Sequence, residues 1–383
     1  MSTSRIRGRI GTPQIAALLL LLVFAAQCLW FLAHVPVSVM EGNCVEAGLL
    51  HLERFANAGS SERSPLVPLL AGVAARISGA ESHYSQLGHY RFWIRLPFLL
   101  AGLLLGASLW YVARRLYGNV GGYVALGLYC FSPLTVAWTS QAGAEIIGAW
   151  GGFGLVFTSI AVAHTLYAPR EVVLWNWRRI LLMGLSMAIC VGAQFSLWVL
   201  LIPALCFMLW VGHTRRGAVL AIFTAACVVG LALLWALYSF RPMVFGSSLM
   251  SADWLEVSSQ SLSWNASAPL LASFFLQNGV GLVLLLMVTL VTFVVWKRSR
   301  FFGTAAPLLT GLLLVGLALR LHIAGFIFLF VALPFLILFM AGVSADLLQS
   351  RHALAANAVI VGVLIANAMI DIYSLLHLTS RSR

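Results

Sequence analysis

The dominant pattern along the chain is a succession of apolar runs, each closed by a cluster of arginines or a polar turn. A membrane-spanning helix needs about 20 mostly apolar residues. Windows of this kind lie near 14–33, 96–113, 120–138, 144–167, 179–195, 196–212, 217–239, 271–296, 304–320, 324–342 and 355–376. They predict an all-α, polytopic transmembrane helical bundle of eleven spans, with Gln194-Phe195-Ser196 as the break between the fifth and sixth. Two stretches, 34–93 and 240–268, are too polar to span and too long to be turns. The first predicts a helix from Glu41 to about Ala56, with Val45, Gly48, Leu49 and Leu52 on one face. A Gly-Ser-Ser-Glu-Arg-Ser turn at 59–64 follows, and Pro65 then opens a second apolar helix from Leu66 to Ile77. Both helices are read as interfacial, lying along the membrane surface. In the second stretch Trp254 and Trp264 suit the headgroup layer.

Composition agrees with this reading. The 383 residues are 61% hydrophobic and 9% charged, with a mean hydropathy of +0.97. A soluble chain carries roughly a quarter charged residues, so a soluble enzyme, a disordered tail and a coiled coil are excluded. No repeat or linker divides the chain, and 1–383 reads as one integral membrane domain. The first span follows Arg5, Arg7 and Arg9, and its apolar core outruns the h-region of a signal peptide, so it is read as a retained anchor. Six cysteines show neither CxxC nor metal spacing, and neither a disulfide framework nor a zinc site is expected.

The net charge of +12 comes from 23 basic against 11 acidic residues. In a soluble protein it would suggest nucleic acid; here it follows membrane sidedness, and no nucleic-acid partner is expected. With a cytoplasmic N-terminus, Arg114-Arg115, Arg170, Arg178-Arg179, Arg215-Arg216, Lys297-Arg298, Arg300 and Arg351 all fall inside, as the positive-inside rule requires. Nine of the eleven carboxylates then face outward, leaving Glu171 and Asp346 inside. The two long outer loops hold most of the polar residues, and an acidic working surface outside is the alternative account of the skew. Localisation in a bacterial inner membrane is the expectation.

A membrane protein keeps a polar residue at the bilayer only for a reason. Glu145 opens the fourth span from outside, either as a functional carboxylate or as an anion favoured by a helix N-terminus. Arg95, in Trp93-Ile94-Arg95-Leu96-Pro97, opens the second span from outside, against the positive-inside trend. It calls for a partner or for lipid phosphate beside it. Arg320 and His322 form a second outward basic pair with the same ambiguity.

Several of these segments resemble the GT-C glycosyltransferases, in the branch of the protein O-mannosyltransferases and the bacterial lipid A aminoarabinose transferase. Met40-Glu41-Gly42-Asn43-Cys44-Val45-Glu46 resembles the Asp-Glu-led first-loop motif. Ser61-Glu62-Arg63-Ser64-Pro65-Leu66 is similar to a Glu-Lys-Pro-Pro-Leu segment. Arg95-Leu96-Pro97 with Arg114-Arg115-Leu116-Tyr117-Gly118, and Ser132-Pro133-Leu134 followed by Glu145, resemble the second to fourth helices. The likeness is best over 30–215, with Arg320 to Pro334 a fainter echo. The chain departs from the pattern at Met40, where the branch has its acidic Asp; at Cys44, in place of an aromatic; and at Gln194-Phe195-Ser196, where a lysine is expected. No soluble domain is expected after the last span.

The resemblance implies a membrane glycosyltransferase that moves a sugar from a polyprenyl-phosphate-linked donor to a lipid or protein acceptor on the extracytoplasmic face. The alternative is a non-catalytic, structural or lipid-binding subunit of a membrane complex, with partner membrane subunits. Under the first reading Glu41 is the base and Glu145 the supporting carboxylate, with Glu46 and Glu62 secondary. Arg63 and Arg95 clamp the donor phosphate, helped by Arg320 and His322, because a guanidinium meets phosphate oxygens in a bidentate fork. No cofactor is identified, and a divalent metal between Glu41 and Glu145 is left open. A transporter would fit the span count, but paired Gly/Pro-broken helices are missing.

Overall fold

The computed structural model describes residues 11–54, 64–79, 84–167, 177–238, 240–243, 245–246, 272, 274, 279–319, 325–350 and 353–381. Among them the chain forms thirteen α-helices and no strand. These are α1 (Thr12–His34), α2 (Val39–Arg54), α3 (Leu66–Ser78), α4 (Tyr84–Cys130), α5 (Pro133–Thr139), α6 (Ala144–Thr165) and α7 (Trp177–Ala193). They continue as α8 (Leu201–Val211), α9 (Arg216–Leu237), α10 (Val280–Val295), α11 (Phe302–Ala318), α12 (Gly325–Leu348) and α13 (Ala353–Arg381). A helix occupies each of the eleven windows, and six of the helices are long and apolar enough to cross a membrane. The protein is an integral membrane protein.

The second window and the third as far as Cys130 are continuous in α4 except at Gly118, whose φ of 80° and ψ of −174° break the helix; Ser132 is extended, and the rest of the third window is α5. The two arms fold back on each other there: Tyr129 donates to the Gly102 carbonyl at 2.8 Å, and Gly122 faces Trp110 and Arg114. A left-handed φ is open to glycine at little cost, so one residue makes the turn that follows Arg114-Arg115. The N-terminal arm starts at Tyr84, earlier than the apolar window at 96, because nothing between Tyr84 and Arg95 breaks a helix. The weak break at 194 is real: Gln194 is extended, and a 3₁₀ turn, Phe195–Leu200, separates α7 from α8.

α12 is the centre, buried along almost its whole length. It packs on α11, α4 and α6, with Phe335 against Phe153 and Phe157 at ring distances of 5.6 and 6.0 Å. Around it the helices meet through small residues, as expected where lipid supplies no hydrophobic drive between helices. A Cβ on Gly151 would strike the backbone of Ile189 and Cys190, which brings α6 and α7 together. The predicted loop helices are α2 and α3, and they form a tight hairpin in which Gly48 and Gly72 touch backbone to backbone. A Cβ at Gly48 would fall on the Pro68 carbonyl. Ser64 fastens the hairpin to the bundle by donating to the Gly192 carbonyl at 2.6 Å, and α3 packs on α4.

Candidate functional site

The C-terminal end of α1 sets up the site. Pro36 forces Val35 out of the helix into an extended conformation, φ −90° and ψ 124°, so the last carbonyls of α1 lack intrahelical partners. The next helix opens with a reciprocal cap. Ser38 Oγ accepts from the Glu41 N–H at 3.2 Å, and Glu41 Oε2 accepts from the Ser38 N–H at 2.8 Å.

Glu41 does more than cap. Its residue is 2% exposed, and Arg95 of α4 meets it in a bidentate fork, Nε to Oε1 and Nη2 to Oε2, both 2.8 Å. Oε1 also accepts from the N–H of Ala142, in the turn before α6, at 2.9 Å. Four hydrogen bonds fill the carboxylate. Arg95 is fully buried and equally committed: Nη1 donates to the carbonyls of Val35 (3.0 Å) and Leu32 (3.4 Å), and Nη2 to that of Pro36 (2.9 Å). Five contacts use its five N–H groups. The cation thus sits on the C-terminal carbonyls of α1 and the anion at the N-terminus of α2, each at the favourable end of a helix dipole.

Burial by itself would raise the pKa of Glu41. The hydrogen bonds and charge of Arg95, with the backbone N–H groups of Ser38 and Ala142, outweigh it and hold the carboxyl below its ordinary range. Glu41 is therefore a poor proton acceptor, and Arg95 has no N–H left for a phosphate. The partner that Arg95 called for is Glu41, 54 residues earlier in the chain.

Glu145 differs. It lies in the first turn of α6, after the extended N-cap Gly143, and its carboxylate folds back over the Gly143 Cα. It is half-buried, and no arginine, lysine or histidine pairs with it among the described residues. The turn that carries it is held by the Ala142 bond to Glu41, so the pair fixes where Glu145 stands. Met40 is 84% exposed, and Glu46 is exposed further along α2. Glu62, Arg63, Arg320 and His322 lie outside the described residues.

Arg91, which the sequence reading passed over, sits one helical turn before Arg95 on α4. It is half-buried, and neither a hydrogen bond nor an ion pair engages it among the described residues. The i, i+4 spacing with Arg95 was the available signal, since it puts both on one face. No group of three or more His, Cys, Asp or Glu able to hold a metal occurs among the described residues. A metal between Glu41 and Glu145 would have to displace hydrogen bonds from a full carboxylate.

Comparison with known proteins agrees with this architecture. Residues 63–240, which include Arg91, Arg95 and Glu145, match the family described as dolichyl-phosphate-mannose-protein mannosyltransferase. No curated protein matches the sequence. Among solved structures, ArnT from Cupriavidus metallidurans bound to undecaprenyl phosphate superposes with a TM-score of 0.62 at 14% identity, over 95% of this chain and 75% of that one. Its apo form gives 0.61 at 16% identity, over 95% and 76%. The oligosaccharyltransferase AglB from Archaeoglobus fulgidus, in complex with an inhibitory peptide and a dolichol-phosphate, gives 0.61 at 12% identity, over 96% and 56%. This chain thus spans about half the length of the archaeal enzyme and three quarters of ArnT. The chain shares its fold with ArnT and AglB, and its segment 63–240 matches the mannosyltransferase family model.

Proposed function

We propose that the protein transfers a sugar from a polyprenyl-phosphate-linked donor to a lipid or protein acceptor on the outer face of a bacterial inner membrane, with its N-terminus in the cytoplasm. The observation that carries this reading is the mannosyltransferase family match over the segment that holds Arg91, Arg95 and Glu145. Undecaprenyl phosphate and dolichol-phosphate in the ArnT and AglB structures support the donor class, and the arginine distribution supports the orientation.

The residues divide by availability. Glu41 and Arg95 are positioning residues: they join α1, α2, α4 and the turn before α6, and hold Glu145 in place. Glu145 is the proton acceptor. The acceptor hydroxyl oxygen attacks the anomeric carbon as the carbon–oxygen bond to phosphate breaks. The electron pair leaves with polyprenyl phosphate, and the hydroxyl proton passes to Glu145. Arg91 meets the departing phosphate by charge-assisted hydrogen bonds, about twice as strong as neutral ones.

The test is transfer from lipid-linked sugars by the protein in lipid nanodiscs, with release of polyprenyl phosphate as readout. Wild type is expected to turn over at least one donor, and Arg91→Ala to raise the donor KM at least tenfold. Binding of polyprenyl phosphate without release from any donor would make the chain a lipid-binding scaffold instead.

A further inference from the structure

The break between α7 and α8 lies at the level of Glu145. α6 and α7 run antiparallel: Gly151 touches the backbone of Cys190, and a Cβ on Gly148 would lie 3.7 Å from that of Ala193. One turn nearer its N-terminus α6 reaches Glu145, where α7 has already ended in Gln194-Phe195-Ser196. The 3₁₀ turn gives the same register from the other side. Leu200 packs on Gly152 and Leu197 on Gly148, each with Cδ1 2.6 Å from where the glycine's Cβ would be. Three 3₁₀ residues and four α-helical residues both rise about 6 Å, so one more step sets Gln194 beside Ala144 and Glu145. Ser64, at the foot of α3, borders the break by its bond to the Gly192 carbonyl.

The break is polar but not satisfied. Ser196 is 2% exposed, and its Oγ has no hydrogen-bond partner among the described residues. Gln194 is half-buried; its backbone bonds to Cys190 and Leu197, while nothing among the described residues engages its side-chain amide. A buried hydroxyl left unpaired is costly, and a ligand's hydroxyl would supply the missing bond. From Ile180 to Val211 the chain carries no charged residue and no histidine.

We infer that Gln194 and Ser196 bind the sugar of the lipid-linked donor, and that this sugar is an uncharged hexose. The inference rests on the transferase reading above, in which Glu145 takes the acceptor's proton. The attacking oxygen at Glu145 must stand about 3–3.5 Å from the anomeric carbon, which puts the sugar ring beside the break. A primary amide offers hydroxyls two N–H donors and a carbonyl acceptor, and a serine hydroxyl both gives and accepts. Neither carries a charge to balance an amino or carboxyl substituent.

The experiment measures binding by full-length protein in nanodiscs of undecaprenyl phosphate, bare or carrying mannose, glucose, galactose or 4-amino-4-deoxyarabinose. Wild type should bind at least one of the three hexose donors at least tenfold more tightly than the bare lipid, and the aminoarabinose donor no more tightly than the bare lipid. Gln194→Leu should lose the hexose preference, with bare-lipid binding and melting point unchanged, because its amide has no bond within the protein to lose. Ser196→Ala should lose part of the preference and melt no lower than wild type. No preference for any hexose donor, tightest binding of the aminoarabinose donor, a preference kept by Gln194→Leu, or a lowered melting point in that variant would each overturn the assignment. Hexose binding that depends on Gln194 but leads to no sugar transfer would instead overturn the transferase reading and leave the sugar site standing.

Discussion

Two of the buried polar clusters among the described residues are satisfied to opposite degrees. The Glu41–Arg95 pair has all its polar valences filled by a fork, two backbone N–H groups and three carbonyls. Asn367 and Asp371, one turn apart on α13, are 0% and 1% exposed, yet both amide atoms of Asn367 and Oδ2 of Asp371 have no partner among the described residues. Asn367 lies over the backbone of Gly279 and Gly281, at the start of α10. Burial alone therefore says nothing about whether a polar group stabilises. The first cluster holds four segments of chain together, while the second charges its desolvation cost to the packing of one peripheral helix.

The sharpest way to break the comparison is to remove one partner of the satisfied pair. Arg95→Met or Glu41→Gln leaves a buried charge uncompensated and should cost about 3–5 kcal/mol, seen as loss of folded protein on thermal melting. Glu41→Leu/Arg95→Met should cost less than the two single changes combined, because it removes both charges. Next in size is the hairpin that carries Glu41: Gly48→Ala forces α2 off α3 and should cost about 1–3 kcal/mol. The unsatisfied cluster should respond with the opposite sign. Asn367→Leu keeps the shape and removes the unpaired amide, so it should be neutral or stabilise by up to about 2 kcal/mol. A melting point lowered as far as in Arg95→Met would erase the distinction between the clusters.

The mildest probe is pH. Glu41 has a folded pKa below its unfolded value of about 4.3. Its contribution is complete above the unfolded value and is lost as pH falls through the folded one. Thermal stability should therefore drop below about pH 4 in wild type, and this portion of the drop should vanish in Glu41→Leu/Arg95→Met.

How far the sequence reaches is visible in the same residues. Apolar run length located a helix in every window, because lipid leaves the backbone no other local solution. It also singled out Glu145 and Arg95 as costly where they stand, while Glu41 came from the resemblance of the Met40–Glu46 segment to a family motif. It could not pair Glu41 with Arg95, since no periodicity links residues 54 apart across two helices and a turn; each was therefore assigned a task facing substrate. Arg91, apart from its i, i+4 spacing to Arg95, and Asn367 look unremarkable in a linear reading. Their importance depends on what fails to contact them, and only packing decides that.

The central claim is that Glu41 builds the site while Glu145 works in it. The most direct measurement is sugar transfer and thermal melting on one preparation of Glu145→Gln in nanodiscs. The account predicts turnover lowered by about 10²–10⁴-fold, with the melting point and the retention of polyprenyl phosphate unchanged. Transfer at the wild-type rate would contradict it, as would a melting point that falls as far as that of Glu41→Gln.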